Sequence, residues 1–122
     1  MNFKLGKEEK LKSQKQIENL FVEGLSLKKF PLRMKYLRVE TDSKLPIKVA
    51  FSVPKRNVKL AVNRNRIKRL LREAYRKNKY ILLNNLEHQY VVMFIYVDKT
   101  EWAYEDLEQK MVLLMEKFIK NQ

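Results

Sequence analysis

The stretch from Asn63 to Lys79 carries eight lysines and arginines and one acid, Glu73. A guanidinium group can grip a phosphate through two parallel hydrogen bonds or stack on a base, whereas a lysine acts as a point charge. Between Arg64 and Arg76, arginine outnumbers lysine five to one. Asn65 adds a donor and an acceptor that suit a 2′-hydroxyl or a base edge. These residue types favour a structured RNA, although they leave open duplex DNA read by a helix in the major groove.

The whole chain is strongly basic, with a net charge of +13 and a pI of about 10.0. Lys55 to Lys79 holds eleven lysines and arginines against one acid, so this segment supplies most of the excess. Charge runs usually form a solvated surface, but such runs mostly mix signs. A nearly pure basic segment instead predicts a polyanionic partner, most often nucleic acid.

A helix over residues 61–78 would give this charge a fixed direction. At about 100° per residue, Ile67, Leu70, Leu71 and Ala74 gather on one side, with Tyr75 at the border. The basic side chains fill a second arc, which consists of Arg64, Asn65, Lys68, Arg69, Arg72 and Arg76, with Arg66 flanking the apolar side. The pattern therefore predicts a helix that buries one face and presents cations on another.

The elements around this helix can be read from their own patterns. "SQKQIENLFVEG" is typical of a helix in which Ser13 and Gln16 form a capping box and Gly24 ends the helix. "PLRMKYLRVE" and "PIKVAFSVPK" alternate as strands, and Tyr90 to Val97 is apolar on both faces, which is typical of a central strand. Tyr104 to Phe118 forms an amphipathic helix. The order predicts an α+β fold, a small sheet packed with helices.

Length and composition favour one domain over residues 1–122, with residues 1–12 as a mobile basic tail. The chain has no cysteine, no apolar signal segment at its start and no run long enough to span a bilayer. We therefore expect a cytoplasmic protein.

Protein-based catalysis finds little support in the residues. His88 is the only histidine and is expected in a loop, and the acids from Asp98 to Glu108 match no metal motif. Those acids more plausibly favour the first turns of the last helix. We expect any catalysis that this protein serves to come from a partner.

The run "FSVPKRNVKLAVNRNRIKRLLREAYR" resembles the signature of the protein subunit of bacterial ribonuclease P. In that family, a strand ending in Val-x-Lys-Lys/Arg leads into a helix with Arg-Asn-Arg, Ile-Lys-Arg and a following Arg-Glu. The matching residues are Val53, Lys55, Arg56, Arg64, Asn65, Arg66, Ile67, Lys68, Arg69, Arg72 and Glu73. The "LFVEG" end of the first helix and the chain length agree as well.

The resemblance implies an α-β-β-β-α-β-α order, with a short extra strand near residues 26–30. It places the basic helix in a left-handed β-α-β crossover, against the usual rule. In the family, the holoenzyme hydrolyses one phosphodiester to remove the 5′ leader of precursor tRNA. The RNA subunit with bound Mg²⁺ is the catalyst, and the protein, a monomer present once per RNA and holding no metal tightly, binds that RNA and the leader.

The resemblance also assigns two sets of residues. Those that face the catalytic RNA are Arg64, Asn65, Arg66, Lys68, Arg69 and Arg72. Those that line a leader cleft between the sheet and the first helix are Ile17, Phe21, Met34, Tyr36, Lys55 and Arg56. Core packing is the open alternative for Phe21, Met34 and Tyr36.

The sequence departs from the family pattern at five positions. Ile17 stands where many members have a second Phe, and Ala50 replaces a common Gly. Lys59 and Leu60 replace a Gly-containing loop, and Tyr96 stands where an Arg is often found.

Two other functions fit the charge. The first is a non-catalytic RNA-binding protein of another ribonucleoprotein, such as the ribosome. The second is a membrane-surface protein, which is disfavoured because the apolar face of the basic helix lacks Trp and Phe.

Overall fold

The computed structural model describes residues 6–42 and 44–122. Its elements are α1 (Gln14–Glu23), β1 (Leu25–Lys29), β2 (Leu32–Val39), β3 (Ile47–Ser52), α2 (Ala61–Asn78), α3 (Tyr80–Leu83), β4 (Gln89–Tyr96) and α4 (Tyr104–Lys120), preceded by a 3-10 turn at Lys7–Glu9. The predicted α+β class and element order are confirmed, and α3 and the 3-10 turn are additions. Within the described ranges, no helix is long and apolar enough to cross a bilayer.

One mixed sheet organises the molecule. Its strand order is β1-β2-β4-β3, with β3 and β4 parallel and the other pairs antiparallel. β4 therefore lies in the interior of the sheet, and the residues from Tyr90 to Tyr96 are buried, as their apolar run predicts. α2 and α3 join β3 to β4, which is the predicted β-α-β arrangement. The left-handedness of that crossover stays a prediction.

The two faces of the sheet bury different clusters. α2 and α4 cover the larger cluster, in which Phe94 stacks on Phe51 and Tyr36 meets Phe118 edge to face. α1 covers the smaller cluster, whose buried members are Leu11, Leu20, Val91, Met93 and Ile95. Because side chains alternate along a strand, each strand residue belongs to one face only.

The first helix begins and ends as its sequence predicts. The Ser13 hydroxyl accepts a hydrogen bond from the Gln16 backbone N–H at 3.3 Å. At the other end, the Gly24 N–H donates to the Leu20 carbonyl. A Cβ at Gly24 would lie 2.2 Å from that carbonyl oxygen, so close approach is what requires glycine here.

The predicted mobile tail is wrong for its second half. Leu11 is buried and its N–H donates to the Val49 carbonyl at 2.8 Å, while Lys10 forms a parallel bridge with Val49. Glu9 pairs with the buried Lys79 at 2.8 Å. The segment docks because Leu11 adds to the smaller core and β3 offers an unpaired edge. Residues 1–5 lie outside the described residues.

Candidate nucleic-acid interface

α2 is oriented by the side chains that it buries. Ile67, Leu71, Ala74 and Tyr75 are at most 2% exposed, and Leu70 is half-buried. This confirms the predicted apolar face and moves Tyr75 from its border into the core, where burial raises the pKa of the phenol. The opposite side of α2 is thereby held toward solvent.

Three cations on that side have no acidic partner among the described residues. Lys68, Arg69 and Arg72 form no ion pair with any residue of the described part of the chain. Glu73, the nearest acid in sequence, is already engaged, because Arg76 hydrogen-bonds it and lowers the pKa of its carboxyl group. We call Asn65, Lys68, Arg69 and Arg72 the basic face of α2.

Arg64 and Arg66 differ from the basic face in what their guanidinium groups contact. Arg64 donates to the carbonyls of Val58 at 3.0 Å and Lys59 at 2.7 Å, and so braces the loop before α2. Arg66 pairs with Glu101, and both side chains are 54% exposed. Sequence reasoning did not separate these two arginines from the others, because their partners lie in a loop and beyond β4.

Met34 and Tyr36 were predicted to line the leader cleft, and this assignment is wrong. Met34 is fully buried and Tyr36 is 8% exposed, both in the larger core beneath α4. α1 lies on the other face of the sheet. Side chains of β2 that point to the same face as Met34 and Tyr36 therefore cannot reach a cleft beside α1. Met34 and Tyr36 are therefore core residues, which was the alternative interpretation of the sequence.

The cleft side of β2 instead carries Arg33, Lys35 and Leu37. The register places Arg33 opposite Ile95, which pairs with Ser52, and Lys35 opposite Met93, which pairs with Ala50. The alternation within "LRMKYL" could have indicated this, since the apolar residues Leu32, Met34 and Tyr36 on one side of the strand are expected to be buried. The sequence analysis assigned Met34 and Tyr36, on one side of β2, to the cleft. It therefore missed Arg33 and Lys35, which lie on the other side of the strand.

Phe21 and Ile17 do lie on the cleft side. Phe21 is 50% exposed, and the Lys35 ammonium lies 5.3 Å from its ring centroid and 3.4 Å from its carbonyl oxygen. Ile17 is half-buried and packs against the smaller core. An exposed ring beside a cation is an arrangement on which a base can stack while its phosphate is neutralised.

The turn after β3 exposes the last two predicted cleft residues. Lys55 and Arg56 lie beyond Ser52 and Val53 and are both exposed. They have no ion pair within the described ranges. They therefore extend a positive surface from the carboxyl end of β3.

The departures from the family pattern fall in different surroundings. Ala50 is half-buried on the cleft side of β3, and Leu60 is 65% exposed before α2. Lys59 supplies a carbonyl to Arg64. Tyr96 is fully buried, and its hydroxyl donates to the Thr100 carbonyl, so it cannot contact a ligand in the cleft.

The structure shows where His88 and the acids from Asp98 to Glu108 lie. His88 is exposed in the loop before β4, and within residues 6–42 and 44–122 no three His, Asp or Glu residues are grouped to hold a metal ion. Asp98 instead organises a turn, accepting from the Trp102 indole N–H and from Thr100. Glu105 and Asp106 lie in the first turn of α4, where acids are favourable.

Comparison with known proteins agrees with this architecture. The family model described as Ribonuclease P matches residues 5–119. A ribonuclease P protein component of Chlorobium phaeobacteroides is 37% identical over 91% of this chain and 85% of that protein. One of Chlorobaculum tepidum is 41% identical over 66% of this chain and 58% of that protein.

Solved structures match in fold. The RNase P protein of Thermotoga maritima has a TM-score of 0.72 at 20% identity, covering 89% of this chain and 96% of its own. That of Staphylococcus aureus has a TM-score of 0.69 at 18% identity, with 89% and 95% covered. With the family model and the Chlorobium relative, this likeness settles the family: the chain belongs to the ribonuclease P protein family, whose members form the protein part of a tRNA-processing endoribonuclease.

Proposed function

We propose that the basic face of α2 binds the catalytic RNA subunit of ribonuclease P. One observation supports this proposal. Lys68, Arg69 and Arg72 have no acidic partner in the part of the chain that the structure describes, and the buried face of the same helix holds them outward. Unpaired guanidinium and ammonium groups can bind phosphates without first losing an internal ion pair. Asn65, exposed beside them, suits a 2′-hydroxyl.

The cleft between α1 and the sheet is proposed to hold the single-stranded 5′ leader of precursor tRNA. Phe21 offers a face for base stacking, which is worth roughly 1–3 kcal/mol per base and requires no particular sequence. Lys35 and Arg33 would neutralise the backbone, and Lys55 with Arg56 would continue this role past β3. Ile17 contributes an apolar wall.

The chemistry is proposed to belong to the RNA subunit and its Mg²⁺. Cations on the protein reduce phosphate repulsion when the RNA and the leader come together, so less Mg²⁺ is needed for the same assembly. We expect one protein monomer per RNA, acting in the cytoplasm. Family membership favours this assembly over the ribosome.

Separate measurements test the two surfaces. Asn65→Ala with Arg69→Ala should weaken binding of the catalytic RNA, while the Phe21→Ala variant should bind that RNA normally. Phe21→Ala in the holoenzyme should weaken binding of precursor tRNA without changing the affinity for mature tRNA. Loss of both affinities in both variants would contradict the division into two surfaces.

A further inference from the structure

The docked N-terminal segment places two lysines beside α2. Leu11 is anchored in the smaller core, and the neighbouring Lys10 and Lys12 are both exposed. The backbone between them is fixed by the hydrogen bond from Leu11 to Val49 and by the Lys10 bridge to the same residue. Positions two apart on an extended segment lie on the same side, so both lysines project away from Leu11.

A groove runs between this segment, the edge of β3 and α2. Its cavity is about 230 Å³. The lining residues are Lys10, Leu11, Lys12, Val49, Ala50, Phe51, Lys68 and Arg72. The apolar lining includes the half-buried Phe51, whose ring also packs against Phe94 and Tyr75, and the lining includes four cations. A second depression continues it along α2 and shares Lys10 and Arg72 with it.

The charges of the groove have no acidic partners within residues 6–42 and 44–122, since the ion pairs of those ranges involve other cations. Four positive groups around one cavity repel one another, and an anion placed among them would relieve that repulsion. An apolar lining with a partly exposed aromatic residue also suits bases, which a merely charged surface does not. A ligand that offers both phosphates and accessible bases is a single-stranded nucleic acid.

The position of the groove connects it with the leader cleft. Ala50 lines the groove and is also on the cleft side of β3, in the same row as Met93 and Lys35. An extended strand that leaves the cleft at the β3 edge reaches the groove by passing over the docked segment, where Lys10 and Lys12 are exposed. The catalytic RNA would meet the basic face at Asn65 and Arg69, and Arg69 also lines the second depression.

We propose that this groove is a second subsite for the single-stranded leader, in which Lys10, Lys12, Lys68 and Arg72 bind its phosphodiester backbone. The proposal rests on the proposed function of the cleft and extends it by several nucleotides. Lys68 and Arg72 then lie at the border of the two surfaces, since they line the groove and belong to the basic face of α2. Glu9 acts as a positioning residue, because its ion pair with the buried Lys79 holds the segment that carries both lysines.

The test is the affinity of the reconstituted holoenzyme for precursor tRNAs that differ only in leader length. Lys10→Ala with Lys12→Ala should bind the shortest leaders like the wild type and lose roughly tenfold or more on leaders that reach the groove. The salt slope for long leaders should become shallower by about 1.4, because two single-strand phosphate contacts are lost. Lys117→Ala with Lys120→Ala is the matched control, since both lysines are exposed on α4 away from the groove.

Other outcomes would overturn the proposal. An equal loss for every leader length, or weaker binding of the catalytic RNA, would assign the lysines to RNA docking. Affinities equal to those of the control pair would show that the groove binds no RNA. If the wild-type holoenzyme itself shows no dependence on the leader, the proposed function of the cleft fails first, which distinguishes the two failures.

A second variant keeps Lys10 and Lys12 and alters only the ion pair between Glu9 and Lys79 that holds their segment in place. Glu9→Gln removes the charge that pairs with Lys79 and should reproduce the defect on long leaders while leaving short leaders unaffected. Wild-type behaviour on long leaders in a folded Glu9→Gln protein would contradict the positioning role. Circular dichroism at the assay temperature verifies that the variant is folded.

Discussion

The arginines of α2 differ in what their guanidinium groups contact. Arg64 is bonded to two backbone carbonyls, Arg66 to a carboxylate, and Arg69 to no acid of the described residues. A guanidinium that holds a loop contributes to folding, whereas one without an acidic partner is available to a ligand. Arg64 and Arg69 belong to the same family motif, but replacing them should therefore change different properties, stability for Arg64 and RNA binding for Arg69.

Arg64→Ala should destabilise the protein, and Arg69→Ala should not. Loss of two hydrogen bonds from a charged donor to Val58 and Lys59 should lower the free energy of unfolding by about 1.5 kcal/mol. Arg69→Ala should stay within about 0.5 kcal/mol of the wild type and weaken binding of the catalytic RNA. Urea unfolding measures the first effect and RNA titration the second. The opposite order of stabilities would contradict these assignments.

Glu101→Gln should strengthen RNA binding by releasing Arg66. The exposed ion pair contributes little stability, so urea unfolding should change by less than about 0.5 kcal/mol. The released cation should add a phosphate contact and make the salt slope steeper by roughly 0.9 on a duplex.

Glu116→Gln is the control for Glu101→Gln, because it makes the same charge change at an exposed site on α4. An Arg66→Ala background should abolish the gain. Equal affinities for the two glutamine variants would show that Arg66 does not meet the RNA.

Sequence reasoning succeeded at the residue scale where periodicity decided the outcome. The buried face of α2 follows from the spacing of Ile67, Leu71 and Ala74. It failed at Met34 and Tyr36. These residues were assigned to the cleft because an aromatic side chain suits base stacking, although the alternation of side chains along β2 places both on the core face. The pairings of Arg64 and Arg66 depend on backbone and loop positions, which spacing along a helix does not encode.

At the scale of elements, the ends of α1 and α4 position the surfaces described above. Gly24 lets the chain leave α1 and enter β1 directly, so that Phe21 stays beside Lys35. Asp98 organises the turn between β4 and α4 that also carries Glu101. Each junction can be tested through stability.

Gly24→Ala should destabilise the fold by about 1–3 kcal/mol, because the added methyl group would overlap the Leu20 carbonyl and force the backbone to shift. Gly6→Ala is the matched control, since its Cβ would lie 3.7 Å from the nearest side-chain atom. Urea unfolding of both variants measures the difference. Equal midpoints would show that the junction can relax without cost.

The stability contributed by Asp98 should depend on pH. The Trp102 indole N–H and then Thr100 favour the carboxylate and lower its pKa in the folded protein. The contribution should therefore be present above the unfolded pKa of about 3.9 and disappear as the pH falls through the lower folded pKa.

Unfolding of Asp98→Asn and wild type across this acid range measures the effect, with the exposed Asp42→Asn as control. The wild type should exceed Asp98→Asn in stability near neutral pH, and the gap should close at acid pH. A gap that widens on acidification would contradict the sign.

Most elements could be predicted from sequence because each has a strong period or a cap. α2 begins and ends as predicted, and the short strand expected near residues 26–30 is β1. α3 was missed because four residues do not complete a periodic pattern. The docking of residues 9–11 was missed because it depends on an unpaired edge of β3 and on Lys79, which lies 70 positions from Glu9.

At the scale of the whole molecule, the two proposed RNA surfaces are joined by one sheet. α2 is packed on one face and α1 on the other, and β3 lies at the edge between them. With both proposed surfaces in place, this arrangement would let one small protein contact a folded RNA and a single strand at the same time. We propose that the reaction itself belongs to the RNA partner.

The most direct test of this account is cleavage of precursor tRNA over a Mg²⁺ series, with the protein alone, the catalytic RNA alone and both together. We expect no cleavage by rigorously purified protein. We also expect the protein to lower the Mg²⁺ concentration that the RNA requires, an effect reduced in Asn65→Ala with Arg69→Ala and retained in Lys117→Ala with Lys120→Ala. Cleavage by the protein alone, or a Mg²⁺ requirement that the protein leaves unchanged, would contradict the account.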